Sequence, residues 1–281
     1  MKLATIRRSG STAAAVLRGD QLVEIEDAQD VGELLGDPAW ARRAAEAAGT
    51  AYTASGADLA PVVPRPSKVV CVGLNYRNHI LEMGRELPEY PTLFAKYPEA
   101  LIGPYDVIEL PAESGQVDWE AELAIVIGRK ARRVSVDEAT DYIAGYAVLN
   151  DVTMRDYQYR TPQWFQGKTW ENSTPFGPYL TTADEFELGG VLRGQVSGRT
   201  VQEVPTSDLV FDPATLVSYI STIFTLNPGD VIATGTPGGV GHARKPAEYL
   251  KDGDVLVTSV EGLGELENPV RGADASHGAG A

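Results

Sequence analysis

Short apolar runs, separated by glycine and proline, dominate the chain after residue 66. Runs this short with turn residues at both ends are typical of strands, whereas helices need longer periodic segments. The clearest runs cover residues 69–73, 92–96, 123–127, 145–149 and 230–234. Helical patterns are fewer, at residues 75–83, 136–141 and 213–224. The sequence therefore predicts a β-rich α+β fold rather than alternating βαβ units.

Two weaker strands are predicted, at residues 209–211 and at residues 254–260, where the loose alternation favours one solvent-facing side. In the third helical segment Asp212 can cap the helix and Pro213 suits its first turn.

The chain is predicted to begin with a small α+β domain and a linker, residues 1–66. Strands are expected at residues 2–7, 12–17 and 21–25, and an Ala-rich helix at residues 37–48. Three prolines then interrupt the chain at positions 61, 64 and 66, where neither a helix nor a central strand can continue. The main domain is placed at residues 67–271, and the Ala/Gly-rich tail at residues 272–281 is predicted to be disordered.

Charge and apolar content exclude several classes of protein. The 281-residue chain has 39 acidic and 24 basic residues, a net charge of −15, which opposes nucleic-acid binding. No run of eighteen apolar residues predicts a membrane span, and the N-terminus lacks the apolar stretch of a secretory signal. The single cysteine, Cys71, lies in an apolar run and is interpreted as a buried thiol. These features together favour a cytoplasmic location.

Three carboxylates stand next to apolar strand segments. Glu120 and Glu122 precede residues 123–127, and on a strand two residues that far apart project to the same side. Asp151 ends the apolar run that starts at residue 146. Like charges beside a buried strand repel each other and lose solvation, so a positive group should lie between them. That group is either a Lys or Arg side chain or a hard cation such as Mg²⁺ or Mn²⁺.

Two further groups are candidates for catalysis. His79 and Glu82 are three residues apart on a predicted helix, hence neighbours on one face, where the pair is either a general base or a surface contact. Lys168 lies between aromatic residues. It is either a surface residue whose aliphatic stem packs on them or a residue held to face an anion. The glycine-rich loop at residues 234–241 could bring backbone N–H groups to a carboxylate, but it lacks the Lys-Ser/Thr of a P-loop.

In combination these segments resemble the fumarylacetoacetate hydrolase family, from about Val69 to Val270. The resemblance rests on a series of motifs in fixed order: residues 72–76 with His79 and Glu82, Glu120-x-Glu122, Asn150-Asp151 with Arg155, Asp156 and Gln158, Gly167-Lys168, and residues 228–237. Many relatives show Ser-Phe after the lysine, where this chain has Thr169-Trp170. That departure concerns the identity of the substrate more than the chemistry.

The resemblance implies a mixed β-roll core and a homodimer. It implies Mg²⁺ or Mn²⁺ held by Glu120, Glu122 and Asp151. By the same resemblance, His79 and Glu82 belong to a lid over the ligand. Contacts to a small oxo-acid substrate are implied for the positions Gln158, Lys168 and Thr236.

The activity expected first is hydrolysis of an acylpyruvate such as fumarylpyruvate, a reaction of aromatic-ring catabolism. His79, oriented by Glu82, would deprotonate the attacking water, and Lys168 would stabilise the enolate that leaves. The same residues could instead decarboxylate oxaloacetate, or isomerise or hydrate a dienoate such as 2-hydroxyhepta-2,4-diene-1,7-dioate. A non-catalytic metal- or ligand-binding module remains as an alternative from another class.

Overall fold

The structure, a computed structural model, describes residues 1–82 and 84–272. The strands are β1 (Lys2–Arg8), β2 (Ser11–Arg18), β3 (Gln21–Glu24), β4 (Ala51–Thr53), β5 (Val69–Gly73), β6 (Thr92–Lys96), β7 (Leu101–Ile102), β8 (Ile108–Leu110), β9 (Val117–Asp118), β10 (Ala121–Ile127), β11 (Ile143–Asn150), β12 (Thr153–Met154), β13 (Thr174–Thr182), β14 (Val191–Val196), β15 (Arg199–Pro205), β16 (Val231–Ala233), β17 (Val255–Val260) and β18 (Gly264–Gly272). The α-helices are α1 (Val31–Leu35), α2 (Trp40–Ala45), α3 (Arg77–Glu82), α4 (Val136–Ala139), α5 (Arg155–Gln158), α6 (Phe165–Lys168) and α7 (Pro213–Ile223).

The strands form two large sheets and one small one. The main sheet has the order β4-β3-β2-β1-β13-β11-β10-β16-β5-β6, with β7 paired to β13. The second sheet has the order β15-β14-β17-β18-β8, and β12 pairs with β9. Most pairs are antiparallel, but β7 with β13, β16 with β5 and β18 with β8 are parallel. The predicted β-rich α+β class is confirmed.

Strands β10 and β11 form the centre of the main sheet and are buried along their whole length. On β10 the side chains of Leu123 and Ile125 enter one apolar cluster, and those of Ala124 and Val126 enter another on the opposite face. A strand covered on both faces needs a continuous apolar sequence rather than an alternating one. This explains why residues 123–127 contain no polar side chain, and it makes the pair a rigid support for the residues at its ends.

The segment at residues 209–211 is not a strand, which corrects the sequence prediction. Leu209 makes an isolated β-bridge with Tyr76, and the side chain of Asn75 binds the backbone of Phe211. Phe211 N–H donates to Asn75 Oδ1 at 2.8 Å, and Asn75 Nδ2 donates to Phe211 O at 3.0 Å. The same Nδ2 donates to Thr234 O at 2.8 Å. One buried side chain therefore holds three segments that line the same end of the sheet.

Most of the predicted helices are present but shorter. The segment predicted at residues 75–83 contains α3, and Met83 lies outside the described residues. Residues 37–48 contain α2, and the helix predicted at residues 136–141 is α4 followed by a 3₁₀ turn. Helix α7 begins as predicted, because the Asp212 side chain accepts a hydrogen bond from Thr215 N–H at 2.8 Å.

The N-terminal segment is continuous with the main sheet, since β1 pairs with β13. The boundary at residue 67 stays a prediction. Gly272, predicted to begin the disordered tail, is the last residue of β18, and residues 273–281 lie outside the described residues. In the part of the chain that the structure describes, no helix has the length and apolar content needed to span a bilayer.

Replacing Asn75 with Ala should lower the free energy of unfolding by about 2–4 kcal/mol, because buried backbone groups of Phe211 and Thr234 lose their partner. Urea unfolding followed by circular dichroism measures this. Asn78→Ala, an exposed position on α3, is the matched control and should change the value little. Equal effects of the two substitutions would show that Asn75 does not hold these segments.

Candidate active site

Glu120, Glu122 and Asp151 converge at one end of the β10–β11 pair. Glu120 comes directly before β10, Glu122 is its second residue, and Asp151 directly follows β11. The register pairs Ala121 with Asn150, and Asp151 N–H donates to Glu120 O at 2.8 Å. An oxygen from each of the three carboxylates lies within 4.8 Å of the others, and all three residues are buried. The convergence predicted from the strand ends is present.

Two lysines contact this cluster. Lys168 Nζ lies 2.5 Å from Glu120 Oε2 and 2.8 Å from Asp151 Oδ2. Lys96 Nζ lies 2.6 Å from Asp151 Oδ1, and neither side chain of that pair is exposed. Burial disfavours the charged forms, but the ion pairs outweigh it: the pKa of Lys168 is raised, chiefly by Asp151 and Glu120. The pKa of Asp151 is lowered against its burial by Lys168 and Lys96.

Arg155, in α5, is the third cation beside the carboxylates. Its Nε donates to Asp118 Oδ2 at 2.8 Å, and its Nη2 lies 2.7 Å from Glu120 Oε1. Asp118 also accepts hydrogen bonds from Gly241 N–H at 2.7 Å and His242 N–H at 2.9 Å. Asp118 therefore fixes both the arginine and the loop that closes this side of the site.

Glu122 has no cation of its own among the described residues. Its Oε2 accepts one hydrogen bond, from Gly235 N–H at 2.8 Å. Burial, followed by the charges of Asp151 and Glu120, raises its pKa well above 4.5. When Asp118 is counted with the cluster, four carboxylates lie beside three cationic side chains. The carboxylates are Asp118, Glu120, Glu122 and Asp151, and the cations are Lys96, Arg155 and Lys168.

The donor set fits a hard divalent cation. Three buried carboxylates offer oxygen ligands close together, and with every group ionised the cluster carries one negative charge in excess. A bound Mg²⁺ or Mn²⁺ would turn that excess into one positive charge. Lys168 contacts two of the three carboxylates, Glu120 and Asp151, so its ammonium group and an ion would compete for them.

The cluster opens into a cavity of about 270 Å³. Six of the eight residues predicted for the site line it: His79, Glu120, Glu122, Gln158, Lys168 and Thr236. Asp151 is fully buried behind the lining, and Glu82 is exposed outside it. The structure thus brings most of the predicted residues together, while the individual role of each stays a prediction.

His79 lies on α3 over the glycine-rich loop. A Cβ at Gly238 would come within 2.9 Å of His79 Nδ1, so glycine allows this approach. The ring is half-buried, and burial lowers its pKa below 6.5, although Glu82 acts in the opposite direction. Among the described residues no hydrogen bond or ion pair within 4.0 Å joins His79 to Glu82. The expected carboxylate–imidazole contact is therefore not formed in this structure.

Gln158 and Thr236 have partners besides any ligand. Gln158 Oε1 accepts a hydrogen bond from Arg155 Nη1 at 2.9 Å. The amide nitrogen of Gln158 therefore points away from Arg155. The Thr236 hydroxyl donates to Ala121 O at 3.0 Å and accepts from Gln202 Nε2 at 2.8 Å. Gln202, which sequence reasoning missed, also accepts from Ala121 N–H at 2.9 Å and so joins the second sheet to the start of β10.

Sequence reasoning also missed Lys96 and the pairing of Arg155 with Asp118 and Glu120. Lys96 ends the apolar strand β6, just as Asp151 follows the apolar strand β11. A charged residue at the end of an apolar run was therefore a usable signal. Its partner is 55 residues away in the chain, and this distance concealed the pairing.

Comparison with known proteins places the chain in a family. Residues 68–271 match the family model described as the C-terminal domain of fumarylacetoacetate (FAA) hydrolase. The chain belongs to the fumarylacetoacetate hydrolase family, as its resemblance indicated, and its core is the β-roll of that family.

Three similar proteins illustrate the range of activities. A mitochondrial oxaloacetate tautomerase of Xenopus laevis is 44% identical over 218 residues, which are 75% of this chain and 67% of that protein. The fumarylacetoacetate hydrolase of Exiguobacterium antarcticum has a TM-score of 0.86 and 34% identity, over 97% of this chain and 99% of that one. Maleylpyruvate hydrolase from Sphingobium sp. SYK-6, solved with manganese(II) and pyruvate, has a TM-score of 0.81 and 30% identity, over 98% and 100%.

Replacing Glu122 with Gln should stabilise the ion-free protein and weaken the stabilisation that a divalent cation provides. The folded-state pKa of Glu122 lies above its unfolded value, so the ion-free protein loses stability as pH rises from about 4.5 through the folded pKa. At pH 7.5 with a chelator, the uncharged variant should melt at a higher temperature than the wild type. With excess Mn²⁺ the wild type should melt higher, because it alone keeps all three carboxylates.

Thermal unfolding with and without Mn²⁺ checks this, with Glu113→Gln, an exposed glutamate, as the matched control. The control should behave as the wild type in both conditions. An equal Mn²⁺-induced rise in Tm for the wild type and Glu122→Gln would contradict the assignment of Glu122 as a ligand.

Proposed function

We propose that the protein is a Mg²⁺- or Mn²⁺-dependent enzyme that interconverts the enol and keto forms of oxaloacetate. The observation that carries the proposal is the buried carboxylate cluster, one of whose members lacks a cation, opening into a cavity beside His79 and Lys168. The 44% sequence identity with an oxaloacetate tautomerase over 218 residues supports this substrate over the others. The choice of metal stays open between the two ions.

The charge of the site suits an anionic 2-oxo acid. When bound, the divalent cation supplies a Lewis acid that polarises a carbonyl and lowers the cost of negative charge beside it. The excess positive charge would then attract the substrate carboxylate into the cavity. The overall charge of −15 would otherwise repel such an anion, so the local cations determine which anions can bind.

The residues of the chain account for the proton transfers of tautomerisation. His79 has a lowered pKa, so at neutral pH its imidazole is uncharged and can accept a proton from the methylene carbon of the keto form. Lys168 would donate a hydrogen bond to the oxygen on which negative charge develops, and the protonated His79 would then deliver its proton to that oxygen to give the enol. In the reverse direction His79 would take the proton from the enol oxygen and return it to carbon.

Gln158 would orient the substrate in this scheme. Arg155 holds its Oε1, which leaves the amide N–H groups as donors toward the cavity. Thr236 has its hydroxyl engaged on both sides, so its role would be to shape the wall beside Glu122. Glu82 would act only after α3 moves, because it now lies outside the cavity.

Acylpyruvate hydrolysis is the second candidate. It is favoured by the likeness to maleylpyruvate hydrolase, whose structure contains manganese(II) and pyruvate. In that reaction His79 would deprotonate water instead of carbon, and Lys168 would stabilise the departing enolate. Such a reaction would place the protein in the breakdown of aromatic compounds. Oxaloacetate decarboxylation and dienoate isomerisation use the same residues and remain further outcomes of the assay.

The assembly and location of the protein are also proposals. A homodimer is expected from the family, with no nucleic-acid or membrane partner, and size-exclusion chromatography with light scattering would measure the assembly. A cytoplasmic location stays a prediction from the sequence, whereas the frog relative is named as mitochondrial.

An assay with Mg²⁺ or Mn²⁺ on a panel of 2-oxo acids tests the proposed function. Enol-oxaloacetate should lose its ultraviolet absorbance faster with the enzyme than without it, and no pyruvate or CO₂ should form. Pyruvate with CO₂ would indicate a decarboxylase, and pyruvate with maleate or fumarate from the corresponding acylpyruvate would indicate a hydrolase. No acceleration of enol decay would contradict the proposal.

Replacing His79 with Ala should lower turnover by about 100-fold or more, because the group that accepts the proton is lost. Mn²⁺ binding, measured by electron paramagnetic resonance, should be retained. Asn78→Ala, the neighbouring exposed position on the same helix, controls for effects on α3 and should keep near-normal turnover. Normal turnover of His79→Ala would remove the histidine from the mechanism.

A further inference from the structure

A second histidine, His242, lines the same cavity. It lies in the 3₁₀ turn Gly241–Ala243 that follows the glycine-rich loop. The backbone N–H groups of Gly241 and His242 donate to the two oxygens of Asp118, at 2.7 and 2.9 Å. Because Asp118 also binds Arg155, the position of His242 is fixed relative to the carboxylate cluster.

The imidazole ring of His242 is held on two sides. Its Nδ1 lies 2.9 Å from the Tyr249 hydroxyl, and its face stacks on Tyr159 with ring centroids 5.2 Å apart and planes at 30°. Within residues 1–82 and 84–272, its Nε2 has no hydrogen-bond partner. In the tautomer in which Tyr249 O–H donates to Nδ1, the hydrogen is on Nε2, which is then a donor.

Three other polar groups of the cavity already contact protein atoms. The Thr236 hydroxyl both donates and accepts, and Gln158 Oε1 is engaged by Arg155. Lys168 contacts Glu120 and Asp151. In the tautomer with hydrogen on Nε2, His242 thus presents a donor that no contact among the described residues uses.

We infer that His242 Nε2 binds the distal carboxylate of a dicarboxylate substrate, so that the enzyme selects 2-oxo diacids over 2-oxo monoacids. The inference rests on the proposed function, since the divalent cation bound by the carboxylate cluster would hold the 1-carboxylate and the 2-oxo oxygen of the substrate. Tyr249 acts as a positioning residue, because its hydroxyl sets the tautomer and orientation of the imidazole. Arg85 lines the same cavity and is the competing candidate for this carboxylate.

Two substrates that differ only in the distal charge test the inference: oxaloacetate and its C4 monomethyl ester. The variant His242→Phe keeps a ring to stack on Tyr159 but removes the donor. It should lower kcat/KM for oxaloacetate by about 10-fold or more, through KM, and leave the value for the ester within about 2-fold. His242→Gln, which keeps an N–H donor, should recover part of the preference, and Tyr249→Phe should lose part of it.

Binding gives a second readout that needs no turnover. Trp164 lines the cavity, so its fluorescence can follow titration of the Mg²⁺-loaded protein with each compound. The wild type should bind the diacid more tightly than the ester, and His242→Phe should bind both alike. Equal losses on both substrates would mean a structural role and overturn the inference. A preference for the diacid that persists in His242→Phe would also overturn the inference. If Arg85→Ala abolishes that preference and His242→Phe does not, Arg85 binds the distal carboxylate instead.

Failure of the proposed function has a different signature. One possible result is that the wild type binds the diacid more tightly than the ester and yet accelerates no enol decay. That result would contradict the tautomerase assignment and still support the role of His242. Equal turnover of oxaloacetate and its ester by the wild type would contradict the inference and leave the tautomerase assignment in place.

Discussion

Mutual repulsion among buried carboxylates is the constraint on which the rest of the structure depends. Three acidic side chains lie within one small volume at the end of the most buried strands of the sheet. Charges in such a place are stable only when each is paired or when a proton or a cation neutralises the remainder. Lys96, Arg155 and Lys168 neutralise most of the cluster, and Glu122 is the carboxylate left without a cation. An enzyme that must hold a hard divalent ion needs this kind of incomplete compensation.

The fold holds the cluster in place through backbone pairing rather than through the side chains themselves. Antiparallel pairing of β10 with β11 sets Glu120 opposite Asp151, and a slip of one residue would turn one of them to the other face. Apolar clusters on both faces of these strands make such a slip costly. Asp118 and Gln202 then fix the surrounding loops to the same strand ends. The same rigidity fixes His242 and allows a polar contact made there to discriminate between ligands.

The sequence predicted the parts of the site that depend on local pattern. Strand periodicity placed Glu120 and Glu122 on one side of a strand, and the resemblance to the family implied that Asp151 joins them. Strand β13 was missed because Pro175 and Pro178 interrupt it, and these residues usually mark a break. Residues 209–211 were mistaken for a strand because an apolar run does not show that a distant side chain will take its hydrogen bonds. The pairing of Lys96 with Asp151 and of β1 with β13 depends on contacts between segments far apart in the chain, which periodicity cannot reveal.

Anomalous scattering from a crystal grown with Mn²⁺ measures the central claim most directly. We expect one ion, about 2.0–2.3 Å from an oxygen of each of Glu120, Glu122 and Asp151, with Lys168 no longer in contact with both Glu120 and Asp151. A crystal at saturating Mn²⁺ with no anomalous peak there, and with Lys168 still bridging the two carboxylates, would show that the lysine alone neutralises the cluster. The proposed metal-dependent chemistry would then be wrong.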